Sequence, residues 1–363
     1  MKNRDAIIVG AGIIGLALAI ELRKRGLSVL IVDKGEPGRE ASWAAGGMLA
    51  DCGLEIPAAL QELASASARM YPEFVHELQD ESGLKIDLRS EGTLLFLDEK
   101  ARVDMRARVA PATAGGTPAL RSGAEVAGLE PHFAAVKSEF LFLREQCIDP
   151  RDVTGAAIAA AKHRDVDFSS GDQVLEVEVS GGRATGVRTN KTRFGTGMVI
   201  NCAGAWAGQI RPERFPTRPV KGQMLCVAMP EKNLVRHVVR TPDVYLIPRS
   251  DGRLLLGATQ EEAGFDKQTV PETLQKLRQA ALRLVPKLGE ARILEAWAGL
   301  RPGTPDALPI LGATSTPGYF VATGHFRDGI LLAPVTAKLM AEVVTGEKAP
   351  FDLSAFSTAR FPT

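Results

Sequence analysis

The stretch Asp5-Ala6-Ile7-Ile8-Val9-Gly10-Ala11-Gly12-Ile13-Ile14-Gly15 decides how the rest of the chain is read. Its first half is a short, β-branched apolar run, the composition of a strand covered on both faces. Its second half is a G-x-G-x-x-G turn. Beyond it Ile14, Leu18 and Leu22 recur at helical spacing as far as Lys24-Arg25-Gly26, where two cations and a glycine suit a helix C-terminus. Ser28-Val29-Leu30-Ile31-Val32 reads as a second strand and runs into Asp33, 18 positions past Gly15. Strand, glycine turn, helix, strand and acid in this order make a dinucleotide-binding βαβ unit. Gly10 permits the tight turn, Gly12 lets a pyrophosphate approach the backbone, and Gly15 lets helix and sheet pack closely. The helix N-terminus favours the phosphates, and Asp33 is placed for a ribose hydroxyl.

Working outward, the whole chain has the balance of an ordinary globular enzyme. It holds 363 residues, 45% apolar and 24% charged, with Lys+Arg 44 against Asp+Glu 43. That length favours two domains over one core. A net charge of +1 with scattered cations supplies no basic stripe for nucleic acid. Cys52, Cys147, Cys202 and Cys226 show neither C-x-x-C spacing nor a neighbouring histidine pair, so they read as free thiols, with no metal site. Lys2 and Arg4 before the apolar run Ala6 to Ile20 imitate a secretory signal. Its spaced glycines, the charged Glu21-Leu22-Arg23-Lys24-Arg25 that follows and the lack of an A-x-A site argue otherwise. The run is also too short to span a bilayer, which leaves no membrane association and a cytoplasmic location as the expectation.

Two further stretches favour FAD over a nicotinamide cofactor. Glu40-Ala41-Ser42-Trp43-Ala44-Ala45-Gly46-Gly47-Met48-Leu49 is rich in small residues where a loop should follow the second strand. It serves equally as a tightly packed turn or as a wall for a wide, flat ligand. Near the other end, Gly318 to Gly324 reads as a strand and Ile330 to Val344 as a helix, joined by His325-Phe326-Arg327-Asp328-Gly329. A second helix N-terminus there would stabilise an anionic reduced flavin. Val174, in Gln173-Val174-Leu175-Glu176-Val177, and Asn201-Cys202-Ala203-Gly204-Ala205-Trp206 read as further strands returning to the first sheet.

Elsewhere, Glu91 to Phe96, Arg218 to Leu225, Tyr245 to Pro248 and Arg253 to Gly257 read as strands separated by turn residues. Thr269-Val270-Pro271-Glu272 has the form of a capping box before Leu274, Leu277, Ala281 and Leu284 at helical spacing.

Taken together, these residues resemble the D-amino-acid-oxidase family of FAD enzymes, and within it the bacterial glycine oxidases associated with thiamine biosynthesis. The resemblance spans nearly the whole chain. It is carried by Gly10–Gly15, Ala44-Ala45-Gly46-Gly47-Met48, Cys202 to Trp206, Trp297-Ala298-Gly299-Leu300-Arg301-Pro302-Gly303-Thr304 and Gly324-His325-Phe326-Arg327-Asp328-Gly329-Ile330-Leu331-Leu332-Ala333-Pro334. It implies an α/β fold with a Rossmann-like FAD-binding domain assembled from discontinuous segments, 1–85, 144–217 and 297–363. A mainly antiparallel α+β substrate domain would take 86–143 and 218–296. It implies non-covalent FAD, a small amino-acid or amine substrate, and O2 as acceptor with hydrogen peroxide as product. A homo-oligomer is a further implication.

Carried over residue by residue, the cofactor contacts fall on Gly10, Ala11, Gly12, Ile13, Ile14 and Gly15, with Asp33 and Lys34 after them. Ser42, Ala45, Gly46, Gly47 and Met48 follow, then Val174, Ala203, Gly204 and Trp206, and last Gly324, His325, Arg327, Asp328, Gly329 and Ile330. Arg301 matches the family's carboxylate-binding arginine, whose planar fork suits a substrate carboxylate. Tyr245 matches a tyrosine that binds the same carboxylate or covers the site, and equally suits an amphipathic strand. Arg327 fits a substrate-touching or gating role and, as well, an ion pair with Asp328. Asp243 and Gln260 depart from the family pattern, which implies a more polar pocket and draws glycine into doubt as preferred substrate. Two rival readings remain: an FAD dehydrogenase that passes electrons to a quinone or other acceptor, and a non-catalytic flavin-binding protein.

Overall fold

The computed structural model describes residues 4–51, 56–96, 119–134 and 139–361. Four sheets organise it. The first has six strands in the order Ile310–Ala313, Tyr319–Thr323, Val199–Asn201, Ala6–Val9, Val29–Asp33 and Asp167–Ser170. All neighbours pair in parallel except the antiparallel edge strand Ile310–Ala313. Side chains alternate between its two faces. Ile8 and Ile31 meet a helical layer whose members include Ile13–Lys24, Gln61–Ser82, Pro150–His163 and Gly329–Thr345. Ile7, Val9, Leu30 and Val32 meet the other side, where Val174, Val177, Ala184 and Val187 pack. Both faces being covered explains why the opening strand is apolar without alternation.

That second cover corrects one expectation from sequence. The strand carrying Val174 does not return to the first sheet; it is Val174–Ser180 and pairs antiparallel with Arg183–Thr189 in a separate three-stranded sheet. The reason lies in its composition. Glu176 and Glu178 stand among its valines, and a strand with charges on alternate positions cannot be covered on both faces. Of Asn201 to Trp206, only the start is strand, ending at Asn201, and Gly204–Gln209 forms a short 3-10 turn.

The largest sheet has eight strands in the order Arg292–Gly303, Arg218–Ala228, Arg253–Gly257, Tyr245–Pro248, Val238–Arg240, Thr93–Phe96, Phe140–Leu143 and Ala119–Arg121. It is antiparallel apart from the pairing of Val238–Arg240 with Thr93–Phe96. One face buries Leu225, Leu246 and Leu256 against Leu277 and Ala281 of the helix Pro271–Leu284. The other buries Met224, Ile247 and Trp297 with Trp43, Ala44 and Met48, so it looks towards the first unit. A capping box does not open the Pro271–Leu284 helix. Val270 is its N-cap and makes no side-chain cap bond. Pro271, with its φ already helical, fixes the first position one residue later than Thr269 required.

The remaining small sheet joins Met48–Leu49, Gln146–Ile148 and Leu88–Arg89. Cys147, Cys202 and Cys226 are free and buried, while Cys52 lies outside the described residues. Among the described residues no helix is long and apolar enough to cross a membrane.

Candidate active site

One long cavity lies between the two large sheets, with walls drawn from residues between Val9 and Ile330. At one end the opening motif forms it. Gly10 has φ +106°, and a side chain there would meet the Cys202 carbonyl carbon at 2.8 Å. A Cβ on Gly15 would run into the Gly10 carbonyl and lie 3.2 Å from Ile8 Cγ2, so this glycine serves helix packing. Gly12 caps the helix Ile13–Lys24, and the Ile13 N–H donates to Ser42 Oγ at 2.9 Å. Ala11 stands behind the wall, where its N–H donates to Asp33 Oδ2 at 2.7 Å while the Gly35 N–H donates to Oδ1 at 2.8 Å. These two donors fix the Asp33 carboxylate at the cavity edge. Ile14, Lys34, Val174, Ala203, Gly204 and Trp206 complete this end. Lys34 Nζ sits 3.1 Å above the Trp206 ring, and burial holds its pKa below the usual lysine range.

The middle of the cavity runs along Ala45, Gly46, Gly47 and Met48. The stretch expected as loop starts instead with one helical turn, Ala41–Ala44. Gly47 has φ +81° and touches Pro150 so closely that a Cβ would come within 2.9 Å of its ring. Arg249, fully buried, donates Nη2 to the Gly46 carbonyl at 2.6 Å and Nη1 to Cys147 Sγ at 3.1 Å, tying this wall to the large sheet. Opposite, His325, Arg327, Gly329 and Ile330 face the cavity from the N-terminus of Gly329–Thr345. Gly324 and Asp328 do not line it. Gly324, at φ +75°, packs on Thr304, and the Asp328 carbonyl accepts from the Leu332 N–H at 2.8 Å as the helix N-cap. His325 is buried with Nε2 3.1 Å from Thr336 Oγ1, and burial pushes its pKa down to about 3, so the ring is neutral.

Arg301 and Tyr245 occupy the end facing the large sheet. In the ladder of Arg218–Ala228 with Arg292–Gly303, Arg301 pairs with Val220, and its side chain folds across Gly222. Its Nη1 donates to the Thr259 carbonyl at 2.9 Å and, more weakly, towards the Lys221 carbonyl at 3.4 Å. Among the described residues no carboxylate comes within ion-pair distance of it. Burial lowers its pKa from the ordinary arginine value and nearby Arg327 acts in the same direction. The guanidinium stays charged nonetheless. Glu261 attracts it from beyond ion-pair distance. A partly desolvated cation that, among the described residues, hydrogen-bonds to carbonyls alone, with a second cation beside it, is a site for an anion. Arg327 also stacks 5.6 Å from the Phe326 ring centre.

The expected polar pocket is not formed. Asp243 and Gln260 are exposed and neither lines the cavity; Asp243 pairs instead with Arg283 at 3.2 Å on the outer surface. Sequence reasoning passed over Gly222, Arg249 and Thr259. Only Gly222 carried a signal, since a glycine inside a strand pattern marks a close approach of another group.

The cavity therefore offers an acid and a helix N-terminus at one end, bare glycine backbone along its middle, and cations at the other. The family model described as FAD dependent oxidoreductase matches residues 5–343. This chain belongs to that family. FAD is its cofactor, and the cradle fits: a side chain at Gly46 would lie 2.7 Å from Ile247 Cδ1 and close the passage. The chain is 33% identical to the glycine oxidase of Pseudomonas aeruginosa over 98% of its own length and 99% of that protein. It is 35% identical to the bifunctional protein ThiO/ThiG of Trichormus variabilis, covering 99% of this chain but only 55% of that longer one. In structure it resembles the crystal structure of glycine oxidase from Geobacillus kaustophilus, with a TM-score of 0.94, 30% identity and 100% of both chains covered. The family resemblance read from the motifs is thus borne out.

Proposed function

We propose that this enzyme oxidises a small amino acid or amine, such as glycine, sarcosine or a small D-amino acid, to the imine, which water hydrolyses to the 2-oxo acid with release of ammonia or the corresponding amine. The observation that carries the reading is Arg301, a half-buried cation at the cavity whose hydrogen bonds, among the described residues, go to backbone carbonyls alone. The similarity to glycine oxidases supports the substrate class. Arg301 grips both oxygens of the substrate carboxylate, and the Tyr245 hydroxyl donates to the same group. Arg327 covers the bound substrate. Two guanidinium groups nearby disfavour a third cation, so the amine binds unprotonated. His325, neutral and bonded to Thr336, takes no proton, and we assign no general base.

Bound FAD supplies the two-electron acceptor for the Cα–N oxidation, and O2 then takes the electrons to give hydrogen peroxide. We assign Gly12, Ile13, Asp33 and Ser42 to its diphosphate and ribose end, and Gly46, Gly47, Met48, His325, Gly329 and Ile330 to its ring. No covalent link is proposed: burial pushes the Cys202 thiol well above its usual range, which leaves it unreactive. The segments 1–85, 144–217 and 297–363 form the FAD-binding domain in this reading, and 86–143 with 218–296 the substrate domain. A cytoplasmic location and a link to thiamine biosynthesis belong to the same proposal.

The test is a screen of glycine, sarcosine and small D-amino acids, run aerobically for peroxide and anaerobically with a quinone or dye. Peroxide above the dye rate supports the oxidase. Dye reduction without peroxide moves the enzyme to the dehydrogenases. Arg301→Met should cost roughly a hundredfold or more in kcat/KM, since a charge-assisted pair is removed. An FAD-loaded protein inert to every amino acid in both arms would overturn the substrate reading.

A further inference from the structure

The helix Gly329–Thr345 carries Pro334 in its interior. Proline has no N–H, so the Ile330 carbonyl, four residues earlier, loses its helical donor, and the ring also crowds that turn. A buried carbonyl left bare is costly. Here it is not bare. The Tyr71 hydroxyl donates to the Ile330 carbonyl from the neighbouring helix Gln61–Ser82. One turn earlier on that helix, the Ser67 hydroxyl donates to the Leu331 carbonyl at 2.6 Å and accepts from the Val335 N–H at 3.3 Å. Both side chains are fully buried. Burial also raises the Tyr71 phenol above its usual pKa, which keeps it a donor. Positions 67 and 71, four apart, share one helix face, so a single surface repairs the whole opened turn.

The turn so repaired is the one that faces the cavity, because Gly329 and Ile330 both line it. We propose that Tyr71, assisted by Ser67, is a positioning residue for the cofactor: its hydroxyl replaces the N–H that Pro334 lacks and holds the Gly329–Ile330 turn against the FAD ring. The proline opens the helix exactly where an outside hydrogen bond can set the angle of its first turn. The amides of that turn have no acceptor within the helix and carry partial positive charge, which favours the reduced, anionic ring. Loosening the turn weakens reduced FAD more than oxidised FAD. This rests on the reading that the ring end of FAD lies at His325–Ile330.

The experiment measures the midpoint potential of bound FAD, its dissociation constant and thermal stability in the reconstituted holoenzyme. The proteins are the parent, Tyr71→Phe, Ser67→Ala, Pro334→Ala and the double variant Tyr71→Phe/Pro334→Ala. Tyr71→Phe should weaken reduced relative to oxidised FAD by about threefold to tenfold, which lowers the potential by about 15 to 30 mV for a two-electron couple. Ser67→Ala should shift it the same way by less, and serves as the test if Tyr71→Phe does not fold. Restoring the N–H with Pro334→Ala should make Tyr71→Phe nearly silent in the potential. A merely structural tyrosine would lower the melting temperature and leave the potential alone, and that result overturns the proposal. So does a potential lowered by Tyr71→Phe equally in the Pro334→Ala background. A parent protein that binds FAD at unperturbed potential would overturn the ring placement itself, and the positioning role with it.

Discussion

Gly222→Ala is a small change with a large expected consequence. The residue lies within the strand Arg218–Ala228, where alanine fits the backbone. A methyl there would stand 2.6 Å from Arg301 Cζ, against a contact distance of about 3.5 Å between carbons. The shortfall is about 1 Å, and the group that gives way is the free end of a long side chain, not the sheet. Arg301 should therefore swing off the Thr259 carbonyl, now 2.9 Å away, while the fold persists. A misplacement of about 1 Å in a substrate-positioning group costs on the order of a hundredfold, or about 2.7 kcal/mol, in kcat/KM. Steady-state rates with the best substrate from the screen measure it. A melting curve and an FAD titration serve as controls that should barely move. If the folded, FAD-loaded variant keeps kcat/KM within threefold of the parent, the guanidinium does not do its work from this position.

Three more expectations follow from the geometry. His325 is neutral in the fold with a pKa of about 3, whereas the unfolded chain takes up a proton near 6.5. Stability should therefore fall as pH drops from about 6.5 towards 3, by up to about 1.4 kcal/mol per unit, and chemical denaturation of His325→Asn should show a flatter slope across that window. Ser42→Ala removes the acceptor of the Ile13 N–H; losing such a capping bond costs about 0.5–2 kcal/mol, so scanning calorimetry of the apoprotein should show a lower melting point, and titration calorimetry at 25 °C should show weaker FAD binding. Asp243→Ala breaks an exposed pair with Arg283 and should change neither the order of substrate preference nor stability by more than about 0.5 kcal/mol, which substrate profiling and denaturant titration would check.

The opening unit was legible because its signals are local. Strand, turn, helix and acid follow each other within 33 residues, and Gly15 answers contacts with Gly10 and Ile8 made inside that unit. The strands Tyr245–Pro248 and Arg253–Gly257 were equally legible from their apolar runs. What the chain does not spell out is which strand meets which. Nothing near Arg249 in sequence announces that it will be buried beneath Gly46, a contact across 203 positions. Asp243 misled for a related reason. Two residues before Tyr245 it should share that side chain's face, but the strand begins at Tyr245, and the preceding bend turns the carboxylate outward. The Val174 strand shows the converse, for its acidic alternation already spoke against a doubly covered sheet.

The cavity walls come from stretches as far apart in the chain as 9–48, 173–175, 202–210 and 322–330, with residues of the long paired strands Arg218–Ala228 and Arg292–Gly303 among them. No contiguous fragment holds a whole wall. A ligand that fills the space consequently acts as a clasp on both large sheets at once, adding its full free energy of association to whatever would pull them apart. Amide protons deep in either sheet should then exchange more slowly together as FAD is added, including those far from any atom of the bound molecule.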